Sequence, residues 1–310
     1  MDFRRLILFG SLGLVLMMIW QSWIQFQMER TPEQSGSVAS GVTVGSVDGV
    51  PAGSDDVPNA PVLESSATPS APATPETMDE EAPSGRLIEV ETDTLRAQID
   101  TRGGDLTRVE LLRHPVSVET PEDPFVLMHR DAGGIYVAQS GLIGNDREYP
   151  NHNVQFTADE HSVSLGAEDQ VKVTLNWTAP DGIGYRKIYT FYRDSYRIDV
   201  DFEVDNTSSD EWAGFFYGQL KQTEIAQAGS MGFLGRLPSY NGAAIYTGDE
   251  KYEKISYSDI AEAPLNVTTD NGWVAMLQHY FVGAWLPEGS ANYQLYTGVS
   301  RNTPAPQYRV

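Results

Sequence analysis

The sequence predicts an all-β fold, a large antiparallel β-sandwich over residues 86–310, preceded by one transmembrane α-helix and a disordered linker. Two observations favour the sandwich. Apolar residues recur at every second position in several segments, which is the period of a strand with one buried face. Clusters of turn residues separate these segments, and no long stretch after residue 26 has the 3.6-residue period of a helix.

The N-terminal segment has the pattern of a membrane anchor. Arg4 and Arg5 precede the apolar stretch 6–26, and about 20 helical residues cover a hydrocarbon core roughly 30 Å thick. Trp20 and Trp23 lie near the far end of the stretch, where indole rings favour the headgroup layer. The positive-inside rule therefore predicts that residues 1–5 are cytoplasmic and that the main domain lies beyond the inner membrane.

A cleavable secretory signal is the alternative to this anchor, because both kinds of segment join positive charge to an apolar run. Signal cleavage requires small residues after the apolar run. Here the bulky residues 20–26, WQSWIQF, occupy that place. The sequence favours the uncleaved anchor.

Residues 27–85 predict a flexible acidic linker. From about Thr31 the composition is reduced mainly to Ser, Thr, Ala, Pro, Gly, Val and Asp, and no apolar period is present. Such a segment cannot bury enough surface to offset the entropy lost on ordering. We expect it to act as a spacer.

Alternation within residues 86–310 predicts the individual strands. Leu95, Ala97 and Ile99 alternate with polar residues before the turn Gly103-Gly104. The segments 171–177 and 185–192, separated by the turn residues Pro180-Asp181-Gly182, predict a hairpin.

Three later segments complete the predicted sheet. The stretch 196–204 has the clearest alternation. Residues 273–285 are almost continuously apolar, which is typical of sheet buried on both faces. Residues 307–310 read as a strand just beginning, so we expect the domain to be incomplete at its C-terminal end.

Composition excludes several classes of function. The 310 residues include 43 acidic and 21 basic side chains, a formal net charge of −22. This excess of acid argues against nucleic acid as a partner, since phosphate binding needs clustered Lys and Arg. The chain contains no cysteine, which removes disulfides, thiolate nucleophiles and thiolate metal sites.

The sequence offers no catalytic, cofactor-binding or metal-binding motif. No two histidines have the i,i+4 spacing of a helical metal site, and the nucleophile motif G-x-S-x-G is absent. We expect His152 and His161 to be exposed or at sheet edges, and His279 to be a hydrogen-bonded sheet residue. Paired carboxylates stay open, because sequence spacing across a sandwich does not report their separation.

Residues 249–254 mix both signs of charge around an aromatic side chain. This pattern is consistent with a contact patch, although a solvated loop or sheet edge is the more common origin of such a segment.

Six segments resemble one protein family in the same order along the chain. They are residues 18–23, MIWQSW; 101–105, TRGGD; 138–142, AQSGL; 218–222, GQLKQ; 249–254, DEKYEK; and 272–277, GWVAML. On these segments the chain resembles the N-terminal part of the Oxa/YidC family of bacterial inner-membrane protein insertases.

The resemblance implies a first transmembrane helix followed by a periplasmic domain of β-supersandwich type. The full-length family members insert, fold and assemble integral membrane proteins, alone and with the Sec translocon. In the family, insertion is carried by five further helices that form a hydrophilic groove, and no second apolar span is present here. The resemblance thus implies a non-enzymatic chain that supplies an anchor and a docking domain.

The resemblance also implies partners, namely nascent inner-membrane proteins, the lipid bilayer, and SecYEG with SecD/SecF. The family's SecF contact region corresponds to residues 238–287, which include Tyr246, Asp249, Lys251 and Tyr252. The alternative function is a membrane-tethered carbohydrate-binding or aldose-epimerase-like periplasmic protein. It rests only on the similarity of the family's domain to sugar-binding sandwiches.

Overall fold

The computed structural model describes residues 57–58, 85–224, 240–278, 280–289 and 291–310. The predicted anchor with Arg4, Arg5, Trp20 and Trp23, nearly all of the linker, and His279 lie outside these described residues. Within the described ranges, no helix combines the length and apolar character that crossing a bilayer requires.

The described residues form eighteen strands and one short helix. In chain order the elements are β1 (Leu87–Glu91), β2 (Leu95–Asp100), β3 (Asp105–Ser117), β4 (Thr120–Asp131), β5 (Gly134–Ile143), β6 (Ser162–Ser164), β7 (Gln170–Thr178), β8 (Gly184–Tyr192), β9 (Ile198–Asp205), β10 (Phe215–Thr223), β11 (Asn241–Thr247), β12 (Lys251–Ile255), α1 (Tyr257–Glu262), β13 (Asn266–Thr269), β14 (Gly272–Gln278), β15 (Phe281–Trp285), β16 (Tyr293–Tyr296), β17 (Gly298–Ser300) and β18 (Gln307–Arg309).

The strands form one large sheet and three small ones. Nine strands make the large sheet, in the spatial order β17-β18-β10-β5-β4-β3-β2-β1-β6. Its neighbours are antiparallel except for the parallel pair β1 and β6. The small sheets are β7-β8-β9, β12-β11-β14-β15 and β13-β16.

Glycines allow the small sheets to approach the large one closely. A Cβ on Gly104, in the turn between β2 and β3, would lie 2.9 Å from the side chain of Leu175 on β7. A Cβ on Gly218 of β10 would lie 2.7 Å from the ring of Trp285 on β15. Buried residues of all four sheets belong to one hydrophobic cluster, for example Ile99, Leu175, Met276 and Leu295. The predicted antiparallel β-sandwich is confirmed.

Most of the segments with period-two alternation are strands in the structure. The predicted hairpin is β7 and β8, and the segment 196–204 contains most of β9. The Gly103-Gly104 turn has φ angles of 70° and 62°, which glycine adopts readily. The predicted C-terminal strand is β18.

The prediction of sheet buried on both faces holds for only part of residues 273–285. The segment is a hairpin of β14 and β15, and Val282 on β15 is 54% exposed. Between the strands lies Tyr280, a turn residue that is 83% exposed. Because its aromatic side chain continues the apolar run, the sequence pattern concealed the turn.

The short helix α1 was not predicted. Six residues are too few to display a 3.6-residue period, but a capping signal is present. The Ser256 side chain accepts from the Asp259 N–H, and the Asp259 side chain accepts from the Ser256 N–H. This reciprocal capping box satisfies two amides at the helix start.

Candidate functional site

Three aromatic side chains form a row across the four-stranded sheet. Tyr246 of β11 is paired directly with Tyr252 of β12 on one side and with Trp273 of β14 on the other. The Tyr246 and Trp273 ring centroids are 6.0 Å apart and the rings are nearly parallel, while Tyr252 and Trp273 are 6.1 Å apart. Tyr252 is 49% exposed, and the other two are half-buried. We call Tyr246, Tyr252 and Trp273 the aromatic strip.

Two lysines lie over aromatic rings in and beside the strip. The Lys251 Nζ lies 5.9 Å from the ring centroid of Tyr246, and the Lys254 Nζ lies 4.8 Å from that of Tyr240. An ammonium group within about 6 Å of an aromatic face is attracted by the ring quadrupole. The aromatic strip therefore presents fixed positive charge beside flat apolar surfaces.

The turn before β12 positions Lys251. Thr247 and Lys251 are paired, so residues 248–250 form a three-residue loop. Lys251 has φ of 63°, and its Nζ donates to the Gly248 carbonyl at 2.6 Å. A left-handed backbone costs a non-glycine residue roughly 1–2 kcal/mol. Such strain is found preferentially at binding and catalytic sites.

Strand β12 lies at the edge of its sheet. It pairs with β11 alone in the described part of the chain, and four of its five residues are exposed. The free N–H and C=O groups of an edge strand can pair with an added strand from another chain. Charged lysines on such an edge also discourage uncontrolled pairing.

The four residues predicted as a contact region thus lie together. Tyr246 and Tyr252 belong to the aromatic strip, Lys251 lies against it, and Asp249 is exposed in the adjoining turn. Sequence reasoning did not single out Trp273 as a member, since its apolar segment was assigned to buried sheet.

A second polar feature is enclosed in the sandwich. Lys187 of β8 is completely buried, and its Nζ donates to the carbonyls of Gly103, Gly104 and Ser140 at 3.0, 3.0 and 2.9 Å. Burial lowers the pKa of Lys187 to about 7, an effect that the nearby Asp105 carboxylate opposes. We call this arrangement the Lys187 junction.

A chain of hydrogen bonds continues from Asp105 across the large sheet. The Asp105 carboxylate accepts from Arg130 at 3.0 Å and from the Gln139 amide at 2.7 Å. The Gln139 Oε1 accepts from Gln219 at 2.9 Å, and the Gln219 Oε1 accepts from the Tyr296 hydroxyl at 3.2 Å. These bonds join β3, β4, β5 and β10 of the large sheet and connect them to β16, so they help to fix the alignment of the strands.

Three of the six segments that carried the family resemblance meet here. Residues 101–105 and 138–142 supply the carbonyls of the Lys187 junction and the Asp105–Gln139 bond, and residues 218–222 supply Gln219. The segments 249–254 and 272–277 contribute Tyr252 and Trp273 to the aromatic strip. Five of the six segments thus lie in two places of the fold, and the sixth, residues 18–23, lies outside the described residues.

Sequence reasoning missed Lys187, although a signal was present. On β8 it shares the parity of Tyr185, Tyr189 and Phe191, all of which are buried. A lysine at a position where the alternation expects a buried side chain is the pattern that could have identified it.

One histidine prediction was wrong. His152 is buried rather than exposed, and its Nδ1 lies 2.6 Å from the Tyr217 hydroxyl. His161 is exposed as predicted, with its Nε2 at 3.1 Å from Arg86. Within the described ranges, no three histidine or acidic side chains are grouped so as to hold a metal ion.

The fold and its surface define the class of this domain. It is a large antiparallel β-sandwich with an exposed aromatic side chain on an edge strand. A family model described as the YidC periplasmic domain matches residues 87–310. That range is nearly three-quarters of the chain and contains every described strand.

The chain belongs to the YidC family of membrane protein insertases. It is 38% identical over 299 residues to the membrane protein insertase YidC of Methylobacillus flagellatus, covering 96% of this chain and 51% of the relative. It is 36% identical to that of Thioalkalivibrio sulfidiphilus, covering 99% and 54%, and 37% identical to that of Nitrosospira multiformis, covering 96% and 52%.

Family membership confirms the resemblance and makes residues 87–310 a periplasmic domain. The chain spans about half the length of the curated relatives that it matches. These relatives are named as insertases and none is named as an enzyme or a sugar-binding protein. Their names give no support to the carbohydrate alternative.

Proposed function

We propose that this chain acts, without enzymatic activity, as the anchor, spacer and periplasmic docking domain of a membrane protein insertase. The match of residues 87–310 to the YidC periplasmic domain is the observation that supports this function most strongly. In the whole protein, the docking domain serves the insertion, folding and assembly of nascent inner-membrane proteins.

The proposed topology follows from charge and aromatic placement. Arg4 and Arg5 keep residues 1–5 in the cytoplasm, and Trp20 and Trp23 anchor the far end of the transmembrane helix 6–26 in the headgroup layer. The linker 27–85 then carries the domain in the periplasm, beside the inner membrane.

The proposed docking surface is the aromatic strip with Asp249 and Lys251, and its proposed partner is the SecF subunit of the Sec translocon. Aromatic side chains supply large contact area at low entropic cost, and they are enriched at protein interfaces. The open edge of β12 adds backbone groups that can accept a partner strand. Lys251 and Lys254 alternate with Asp249, Glu250 and Glu253, so this segment favours a partner surface that carries both signs of charge.

The surface can be tested by affinity purification from bacterial inner membranes containing the full-length protein. We expect Tyr252→Ser to reduce the recovery of SecD and SecF at least about fivefold, since truncation of a central interface aromatic typically costs 1 kcal/mol or more. Tyr196→Ser is a matched control, because Tyr196 is 45% exposed, close to the 49% of Tyr252.

A second variant separates the lysine charge from the turn geometry. Lys251→Gly keeps a residue that favours φ of 63° and removes the whole lysine side chain, including the amine over the Tyr246 ring. We expect this variant to remain folded and to lose part of the recovery. Unchanged recovery with Tyr252→Ser, or an equal loss with Tyr196→Ser, would contradict the proposed surface.

A further inference from the structure

A groove with a volume of about 460 Å³ lies at the end of β5, on a part of the domain distinct from the aromatic strip. Residues within 142–154 and Trp177 of β7 form its walls. Two further lining residues, Val57 and Pro58, come from the linker. They precede Gly85, the first residue of the continuous described domain, by 28 and 27 positions.

The groove has a firmly packed wall. Tyr149 is only 6% exposed, and its hydroxyl is hydrogen-bonded to Asp146 and to the carbonyl of Ala213. Its ring packs at 6.1 Å from that of Trp212. Tyr149 and Leu142 belong to a buried hydrophobic cluster of their own. The side of the groove that the folded domain supplies is therefore held in place by the domain's own packing.

The chemistry of Val57-Pro58 suits such a groove. Proline restricts the preceding residue to extended backbone, so a Val-Pro pair is already close to the conformation of a bound extended peptide. Extended proline-containing segments commonly bind in grooves lined by aromatic side chains, and here Tyr149 and Trp177 line the groove. Both linker residues are half-buried.

We propose that Val57-Pro58 is an intramolecular docking segment that holds the linker in this groove. Docking divides the linker into the spans 27–56 and 59–85. The root-mean-square reach of a flexible chain is about 5–6 Å multiplied by the square root of its length, so the spacer to the anchor shortens from roughly 40–45 Å to roughly 30 Å. The shorter distance to the membrane depends on the anchor of the proposed function. The docking of Val57-Pro58 in the groove does not depend on it.

Disulfide trapping in the full chain tests the docking. The chain contains no cysteine, so an engineered pair gives the only disulfide. The test pair is Asn59→Cys with Glu148→Cys, which places one thiol directly after Val57-Pro58 and the other on an exposed residue of the groove. The control pair is Ala52→Cys with Glu148→Cys, since Ala52 directly follows a second Val-Pro pair, Val50-Pro51.

The two pairs have sharply different expectations. In an undocked linker, the frequency at which a cysteine meets the domain falls with about the −3/2 power of the length of chain between that cysteine and Gly85. Because position 52 lies only slightly farther from Gly85 than position 59, the control pair should close only about 1.4-fold more slowly than the test pair. Docking predicts that the test pair closes at least about tenfold faster, as measured by gel mobility during oxidation. It also predicts that Val57→Asp returns the test pair to the control rate, while Val50→Asp has no effect.

Closure rates within twofold of each other would overturn the proposal, as would a test pair insensitive to Val57→Asp. Failure of both pairs to close, in chains whose circular dichroism shows the folded β-sandwich, would overturn it as well. None of these measurements involves SecF or insertion, so their failure leaves the proposed function standing. Likewise, failure of the SecF experiment would leave the docking of Val57-Pro58 standing.

Discussion

Lys187 illustrates at the residue scale how a charged side chain is retained inside a sandwich. Removing an ammonium group from water is costly unless hydrogen bonds replace those of the solvent. Here three backbone carbonyls accept from the same Nζ. The rings of Tyr189, Phe202 and Phe156 lie 5.4, 5.7 and 6.0 Å from it. The hydrogen-bonding capacity of the buried amine and of the three carbonyls is therefore met within the protein.

The titration of Lys187 should appear in the pH dependence of stability. Its folded pKa is about 7, below the usual value of 10.5. Between these pH values the unfolded chain binds a proton that the folded chain does not, so the free energy of unfolding rises with pH. We expect a rise on the order of 1 kcal/mol per pH unit between pH 8 and 9, and little contribution below pH 7.

Urea denaturation of the wild type and of Lys187→Met, each at pH 6, 7, 8 and 9, measures this contribution. The variant lacks the titrating amine but keeps Asp105 and Arg130, the charged groups of the adjoining hydrogen-bond chain. We therefore expect the difference between the two free energies to grow with pH above 7. Parallel pH profiles would show that Lys187 does not titrate in this range.

At the element scale, the sandwich joins sheets at points where a side chain is missing. Gly218 of β10 faces the indole of Trp285, and an added Cβ would lie 2.7 Å from the ring. Since inserting atoms into a packed interior typically costs about 1–3 kcal/mol, we expect Gly218→Ala to destabilise the protein by that amount. Urea denaturation measures the loss.

Gly184→Ala is the matched control for this substitution. Gly184 is also a strand glycine, but its nearest neighbour to an added Cβ is Asp205 at an ordinary 3.5 Å. Reduced entropy of the unfolded chain should leave this variant unchanged or up to about 1 kcal/mol more stable. Equal destabilisation by both substitutions would mean that loss of glycine itself, and not the contact with Trp285, determines the effect.

Strands were predictable where the environment of one face differs from that of the other. The hairpin of β7 and β8 has such a pattern, with Val173, Leu175 and Tyr189 buried. Between β14 and β15 the turn residue Tyr280 is aromatic, so composition gave no sign of the break. The helix α1 is too short for periodicity, and only its capping box predicts it.

The candidate site was predictable as a region but not as an arrangement. The pairing of Tyr246 with Tyr252 follows from the three-residue loop that sets their register. The contact of Tyr246 with Trp273 joins strands 27 positions apart, and sequence spacing carries no rule for such pairs. The same reason explains why the bond between Gln139 and Gln219, separated by 80 positions, was not foreseen.

At the scale of the whole molecule, negative charge is the dominant electrostatic property. A formal charge of −22 repels itself more in the compact state than in the unfolded chain. Raising ionic strength from 0.01 to 0.15 M shortens the Debye length from about 30 Å to about 8 Å and weakens this repulsion. We therefore expect NaCl to raise the Tm over that range.

Differential scanning calorimetry at both ionic strengths, with choline chloride as a second salt, measures the change. Screening depends on ionic strength, so the two salts should raise the Tm equally. A Tm that falls with salt would show that the surface ion pairs, such as Arg186 with Glu203, outweigh the net repulsion. A rise with NaCl alone would indicate specific binding of sodium instead.

The Lys187 junction also has a consequence in time. Its hydrogen bonds join positions 83, 84 and 47 residues apart along the chain, so neither neighbouring residues nor one hairpin can assemble it. Chains dominated by such distant contacts reach the native state in milliseconds to seconds, whereas helical bundles need microseconds to milliseconds. Until β5, β8 and the glycine turn have met, the amine stays hydrated, and the newly made chain keeps its strand edges open to proteases and to other chains.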